Sequence, residues 1–549
     1  MTPRQAISRH LTSLFCPFLP PKYHVKDSAM ATRNLLSGPI TLSSATGRSA
    51  NVLHALQYPL RKLAFYSYIE GHRALLAEVI AHHLGIKPTD VDISPQEWWR
   101  HGSFNLCVPL KVNVNSTQSN VPEFAFIRFP LPYRVGEVTN PGNSDEKLDC
   151  EAATYAWLEE NCPSVPIPKL YGFGLSTNQR FTNASLLPWW SRWFHKARRF
   201  FLATFGLQQP SQYVCHASGR FADLNIGYLL IETITSGEML SESWDEKRDA
   251  ARLQNLQGDL ARVMVSLARV RLPRIGLFRL DSNGYLRLDN RPMSVQTTMH
   301  ENEGLSLHMS RRTTFSSVKD FVLSQIAAFE TRFIEQPNVI ASHEDAWYQM
   351  TSLAAAKLTI PQLFRDDLCN GPFVFSLTDL HRSNIFVDEN WNITCIIDLE
   401  FACSWPVEFL QTPYWLGGGL IDEVTSAELA PIHAEFMEHI RREEKLQQCR
   451  DPDTEPVSSI MQQSWADGTF WVPLALRDPV SFTEIFYKRI LKGYFELPDE
   501  ELDNGAYLRF CSRFFRRNSS SIIDRKLDDR DRYMESLTEA FTDTAARSS

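Results

Sequence analysis

The sequence predicts an α+β protein of two unequal lobes, a strand-rich one followed by a larger and mainly helical one. Three observations carry that prediction. Short runs of β-branched and aromatic residues, bounded by turn residues, cluster between Phe104 and Ile231, whereas apolar residues at helical spacing dominate from Leu253 onward. A chain of 549 residues exceeds what one hydrophobic core serves, so at least two are expected. A hydrophobic content of 43% with 22% charged residues is that of an ordinary globular protein. The boundaries read as a tail over residues 1–50, a first lobe over 51–235, a second over 236–515 and a C-terminal tail over 516–549.

Each element has its own signal. Leu75, Leu76, Val79 and Ile80 mark the apolar side of a helix within Leu60 to Ile86. Phe104 to Val114 and Glu123 to Phe129 have strand character. A polar loop, Val135 to Ser144, leads to a helix around Asp145 to Glu160, which Pro163, Pro166 and Pro168 end. Lys169 to Gly172 and Tyr228 to Ile231 read as strands, the latter closing at Glu232. Leu253, Leu256, Leu260, Val263 and Leu267 trace a long amphipathic helix. Gly284 sits in the turn of a hairpin between Gly276 to Leu280 and Tyr285 to Leu288. Helices are then expected around Val318 to Phe333, Glu344 to Lys357 and Ser426 to Lys445. No internal repeat is visible.

Bulk properties exclude several classes. The net charge of −8 argues against a general nucleic-acid footprint. No apolar run approaches the ~20 residues that span a bilayer. The 10 cysteines include no C-x-x-C pair, which argues against a zinc site and a dense disulfide framework. Reduced thiols in the cytoplasm are the expectation, and the N-x-[ST] matches at Asn115 and Asn392 are then accidental. The first 29 residues carry Arg4, Arg9, Lys22 and Lys26 before the first acid, Asp27, with Ile7, Leu11, Leu14 and Phe15 on one helical face. The alternative to a plain tail, or to a start at Met30, is therefore a mitochondrial targeting segment. Between residues 181 and 220, Trp189, Trp190, Trp193, Phe194, Phe200 and Phe201 alternate with Lys196, Arg198 and Arg199. Such a stretch can meet a membrane surface or nucleic acid, but the reading favoured here is an amphipathic helix packed on its own domain.

The chemistry lies in Phe375 to Pro406, FSLTDLHRSNIFVDENWNITCIIDLEFACSWP. Ile385 to Val387 and Ile393 to Ile397 are strands joined by the turn Asp388-Glu389-Asn390. Asn384 precedes the first strand and Asp398 follows the second, so the open end of an antiparallel hairpin brings them side by side, with paired Cα atoms ~5 Å apart. An amide oxygen and a carboxylate converging there suit a hard cation such as Mg²⁺. Asp379 lies in the loop that feeds the same point, where a carboxylate can accept a substrate proton while the other two residues hold a metal on nucleotide phosphates. The bland alternative is a structural hairpin with solvated Asp and Asn caps.

The run resembles the catalytic segment of the aminoglycoside phosphotransferase/choline kinase-like family, and especially its fungal branch. The family pattern is H-x-D-x-x-x-x-N followed by I-I-D-x-[DE], met here by Asp379, Asn384, Asp398 and Glu400, with Leu377 in place of the His. Asn290-Arg291-Pro292 and Gly371-Pro372-Phe373 match further segments of that branch, and the similarity extends over about residues 55 to 500. It implies a two-lobed protein kinase-like fold, with ATP and Mg²⁺ as cofactors and a small hydroxylated molecule as acceptor. It further implies that Asp379 is the catalytic base, that Asn384 and Asp398 bind metal, and that Glu400 assists or buttresses the metal. Gly102 and Ser103 resemble the turn that covers the nucleotide. Arg128 stands where kinases place a phosphate-pairing Lys, with Glu151 as its partner acid, and Glu232 and Ile234 match the hinge that meets adenine. His381 reads as a hydrogen-bonded structural residue.

Two other readings remain open. An atypical protein kinase is opposed by Thr378 before the catalytic Asp and by the lack of D-F-G, A-P-E and G-x-G-x-x-G. A kinase-like shell that binds nucleotide without turnover is opposed by Asp379, Asn384 and Asp398 but left open by Leu377 and Arg128. The acceptor and the oligomeric state are not legible.

Overall fold

The computed structural model describes residues 32–113, 121–217, 219–419, 421, 423–447, 455–495 and 505–542. The candidate targeting segment, Met30 and Asn115 lie outside these residues. The chain has the expected α+β arrangement of two lobes.

The first lobe is built on an antiparallel sheet of β3 to β10. Ahead of it lie the hairpin of β1 (Thr32–Leu35) and β2 (Gly38–Thr41) and the helices α1 (Tyr58–Gly71) and α2 (Arg73–Leu84). The sheet strands are β3 (Val91–Ile93), β4 (Arg100–His101), β5 (Asn105–Val112), β6 (Phe124–Pro130), β7 (Leu170–Gly174), β8 (Gln179–Asn183), β9 (Tyr213–Ala217) and β10 (Tyr228–Glu232). Their order is β3-β5-β6-β10-β7-β8-β9, with β4 added on β5. Leu106, Val108 and Leu110 on β5 and Ala125, Ile127 and Phe129 on β6 are buried in one core with Leu76, Val79 and Ile80 of α2. The other face of the sheet is covered by α3 (Asn143–Asn161), which also packs on the second lobe.

A short connection after β10 crosses between lobes. Gly237 sits there with φ +82, and a Cβ would meet the Val387 carbonyl at 2.7 Å, so only glycine lets the backbones approach this closely. The next strand, β11 (Glu238–Met239), already pairs with the first strand of the hairpin that carries Asn384 and Asp398 at its open end. The long helix α4 (Ala250–Ala268) forms as its apolar spacing predicts, starting at the Asp249 cap. The Gly284 hairpin forms as β12 (Leu277–Leu280) and β13 (Leu286–Asn290). The expected later helices form over Val318–Glu335, His343–Thr359 and Ser426–Leu446.

Two expectations are corrected. Neither terminal segment is merely a tail: Leu35, Ile40, Ala45 and Val52 form a core cluster with Tyr533, Leu537 and Phe541 of a helix over Ser519–Thr542. Each segment alone is too short to bury an apolar face, and pairing them removes both faces from water. The basic and aromatic stretch does form a helix, Trp189–Thr204, but its aromatic side chains face outward rather than onto its own domain. Within it His195 alone is buried; its Nε2 bonds the Ser211 carbonyl at 3.0 Å.

Candidate active site

The expected hairpin forms, from Ile385–Val387 and Ile393–Ile396. Asp388 caps its turn by accepting from the backbone N–H groups of Asn390 and Asn392, both at 2.9 Å. Trp391, fully buried, stacks on Trp244 with centroids 5.3 Å apart and anchors the turn to the second lobe. At the open end the Ile397 N–H donates to the Asn384 carbonyl at 2.9 Å, so Asn384 and Asp398 are neighbours across the ladder. The Asn384 Nδ2 donates to the Asp379 carbonyl at 3.0 Å, which orients the amide and leaves its Oδ1 as the acceptor end. Asp398 has φ 63 and ψ 60, a left-handed conformation uncommon outside glycine, and this breaks the strand alternation at the hairpin mouth.

The loop bearing Asp379 is held from three sides. Thr378 Oγ1 donates to the Phe401 carbonyl at 2.6 Å, Arg477 donates to the Thr378 carbonyl at 2.8 Å, and Trp415 Nε1 donates to the Leu380 carbonyl at 3.0 Å. Leu377, at the position of the family His, packs against the main core, a role an apolar residue fills well. His381 caps the following turn, accepting from the Ser383 N–H at 3.3 Å, and burial keeps it neutral by lowering its pKa. Its Nε2 lies 3.9 Å from Asp379 Oδ2.

Asp379 and Asp398 line one cleft together with Leu377, Thr378 and Leu380. Burial, reinforced by the Asp398 charge, pushes the Asp379 carboxyl up to about 7. Burial would raise Asp398 too, but Arg128 and Lys147 outweigh it and hold that carboxyl below its ordinary value. Two neighbouring carboxylates whose environments push them apart is the arrangement that separates a proton acceptor from a permanently charged ligand.

The first lobe reaches this cleft through an ion network. Arg128 on β6 is 6% exposed, so it is no surface residue. Its Nη1 donates to Glu151 Oε1 and its Nη2 to Glu400 Oε2, both at 2.7 Å, and Nη2 also bonds Asp398 Oδ1. Lys147, one turn before Glu151 on α3, bonds Asn105 Oδ1 at 2.7 Å and also Glu400 Oε2. Asn105 Nδ2 completes the set on Glu400 Oε2 at 2.7 Å. Burial pushes the Glu151 carboxyl up, against the pull of Arg128 and Lys147. Glu400 is thus a buried bridge between lobes. Glu151 Oε2 and Glu400 Oε1 are buried with no partner among the described residues.

Other expected residues lie nearby or at the hinge. Gly102 and Ser103 form the turn between β4 and β5, but the Gly102 N–H already donates to the Asn105 carbonyl at 2.8 Å. Glu232 ends β10 and accepts from the Lys169 N–H at 3.0 Å, and Ile234 follows half-buried in the crossing segment. The sequence reading missed Lys147, Asn105 and Arg477. The i, i+4 spacing of Lys147 and Glu151 was the available signal, since it puts both on one helix face.

Residues 223–409 match the model of the phosphotransferase enzyme family. The matched stretch contains Glu232, Ile234, Asp379, Asn384, Asp398 and Glu400 but not Arg128, Lys147 or Glu151. No curated protein matches the chain. Among solved structures, the aminoglycoside phosphotransferase APH(4)-Ia is similar at 11% identity, over 82% of this chain and 98% of its own, with a TM-score of 0.34. The ADP-bound aminoglycoside phosphotransferase APH(2'')-Ib is similar at 10% identity, over 80% and 97%, with a TM-score of 0.35. The macrolide 2'-phosphotransferase MphH from Brachybacterium faecium is similar at 11% identity, over 77% and 99%, with a TM-score of 0.30. Superpositions this loose place no residue of the candidate site.

Proposed function

We propose that this phosphotransferase moves the γ-phosphate of ATP to a hydroxyl of a small molecule, with Mg²⁺ at the hairpin mouth. The observation that carries the proposal is the pairing of Asp379, raised to about 7, with the charge-stabilised Asp398 beside the oriented Asn384 amide. The donor set suits Mg²⁺: all are hard oxygens, and like-charge repulsion between Asp379 and Asp398 is what a cation would relieve. Asn384 Oδ1 and Asp398 would hold the ion, which when bound neutralises charge on the transferring phosphoryl group. Asp379 accepts the proton of the acceptor hydroxyl and orients its oxygen for in-line attack. Thr378, Arg477 and Trp415 keep the loop in place while this happens. Lys147 and Arg128 present positive charge from the first lobe towards the phosphates. ATP as donor rests on the sequence resemblance together with the family match.

One observation favours a second reading, nucleotide binding without turnover: Arg128 contacts the carboxylate that would hold the metal. Incubating purified protein with labelled ATP, Mg²⁺ and a panel of small hydroxylated metabolites separates the two. Label transfer that Asp379→Asn abolishes supports catalysis. Tight nucleotide binding without transfer to any acceptor or to water supports the binding reading.

A further inference from the structure

The helix over Trp189–Thr204 joins β8 to β9, at the end of the sheet remote from β3 and β4. Its polar side faces its own lobe, where Arg199 pairs with Glu160 at 2.8 Å and Arg192 reaches the Ser185 carbonyl. Its other side carries Trp189, Trp190, Trp193, Phe194, Phe200 and Phe201, each 63–74% exposed. Phe205 and Leu207 extend the apolar surface beyond the helix end and are also exposed. Isolated exposed aromatics are ordinary, but six on one face of one helix are a patch that soluble surfaces avoid.

Charge identifies the occupant. Residues 161–222 hold 7 Lys and Arg and no Asp or Glu, in a chain whose net charge is −8. Beneath the helix, Lys169, Arg192 and Lys196 line a cleft with Asn183, Ser185 and Glu159. Burial raises the Glu159 carboxyl to about 7, so its negative charge there is weakened. Tryptophan and phenylalanine on one side with cations along the flank is the pattern of a helix lying in a lipid interface. A second copy of the chain would bring two such basic segments together and is disfavoured by repulsion. Nucleic acid would need the aromatics inside a basic groove, whereas here they form the outermost surface. At 16 residues the helix is about 24 Å long, shorter than a bilayer core, so it lies along the surface rather than crossing it.

We propose that this helix docks the protein on anionic membranes, inserting its aromatic face among the lipids while Arg192, Lys196 and Lys169 meet acidic headgroups. Vesicle flotation tests this with readouts independent of turnover. The full chain should float with vesicles of phosphatidylcholine and phosphatidylserine, less with phosphatidylcholine alone, and less again at high salt. Trp189→Ser combined with Trp193→Ser and Phe194→Ser should lose at least roughly ten-fold in affinity with little change in Tm, because these side chains are mostly exposed. Arg192→Gln with Lys196→Gln should lose roughly thirty-fold on anionic vesicles and little on neutral ones. Brominated acyl chains should quench tryptophan emission of the unaltered protein, a measurement that needs no variant. Failure to float with anionic vesicles, flotation unaffected by the aromatic substitutions, or self-association that those substitutions abolish in place of lipid binding would each overturn the proposal.

Discussion

Helix α3 serves two ion networks that differ in one respect, how completely their oxygens are satisfied. Glu146 faces the Asn290-Arg291-Pro292 segment, where Arg291 Nε and Nη2 donate to Glu146 Oε1 and Oε2 at 2.9 and 2.8 Å. The same guanidinium holds Glu301 through Nη1 and Nη2 at 2.7 and 2.9 Å, and Arg311 adds a bond to Glu146 at 3.0 Å. Both carboxylate pairs push the Arg291 pKa up, against burial. Lys147 and Glu151, on the adjoining face, enter the Arg128 network, where two buried carboxylate oxygens have no partner among the described residues. Buried oxygens are seldom left unmet, and where they are, room for another charged group is the economical explanation. The closed network clamps the first lobe to the second, and the open one is where the proposed function puts a nucleotide and its metal.

Substitutions can break this contrast. The largest effect is expected at the edge of the open network, where Asp379→Asn should lower turnover by about 10²–10⁴-fold with nucleotide binding nearly intact. Turnover within a few-fold of the unaltered enzyme would remove Asp379 from the mechanism. In the closed network, Arg291→Ala takes the buried guanidinium from Glu301 and leaves Glu146 with Arg311 as its one cation, and should cost about 3–5 kcal/mol in urea unfolding. A loss below about 1 kcal/mol would mean that Arg291 is no clamp.

Arg128→Ala should lower turnover by about ten-fold or more, since charge-assisted hydrogen bonds of ~1.5–3 kcal/mol are lost. It also takes the shared guanidinium from Glu151, Asp398 and Glu400, whose oxygens lie within 4.8 Å of one another, so Mg²⁺ should raise the Tm of this variant more than that of the unaltered protein. No such gain would show that the network is as closed as its neighbour. Asp398→Ala should weaken nucleotide binding about ten-fold with Mg²⁺ and little without it. Equal effects would move the metal away from the hairpin mouth. Deleting residues 1–29 should leave Tm and turnover unchanged, whereas deletion through residue 50 removes Leu35, Ile40 and Ala45 from their cluster and should lower Tm.

What the sequence by itself determined is what depends on near neighbours. The hairpin follows from alternation and turn residues over Ile385 to Ile396, and its geometry brings Asn384 beside Asp398 whatever surrounds it. The helix of α3 and the placing of Arg128 before it were legible for the same reason. Tertiary structure alone decided that Asn105 and Lys147 converge on Glu400, because that contact closes over more than 250 residues and no local spacing encodes it. The terminal segments meet only in the folded chain, across a still longer separation, as the bond from the Val52 N–H to Tyr533 shows. The helix over Trp189–Thr204 makes the point most clearly. Its amphipathic pattern was visible, but a pattern says that two faces differ and not which one turns inward. Here its lobe offers the helix carbonyls and an acid, Ser185, Ser211, Pro210 and Glu160, so the basic side finds partners and the aromatic side is left facing out.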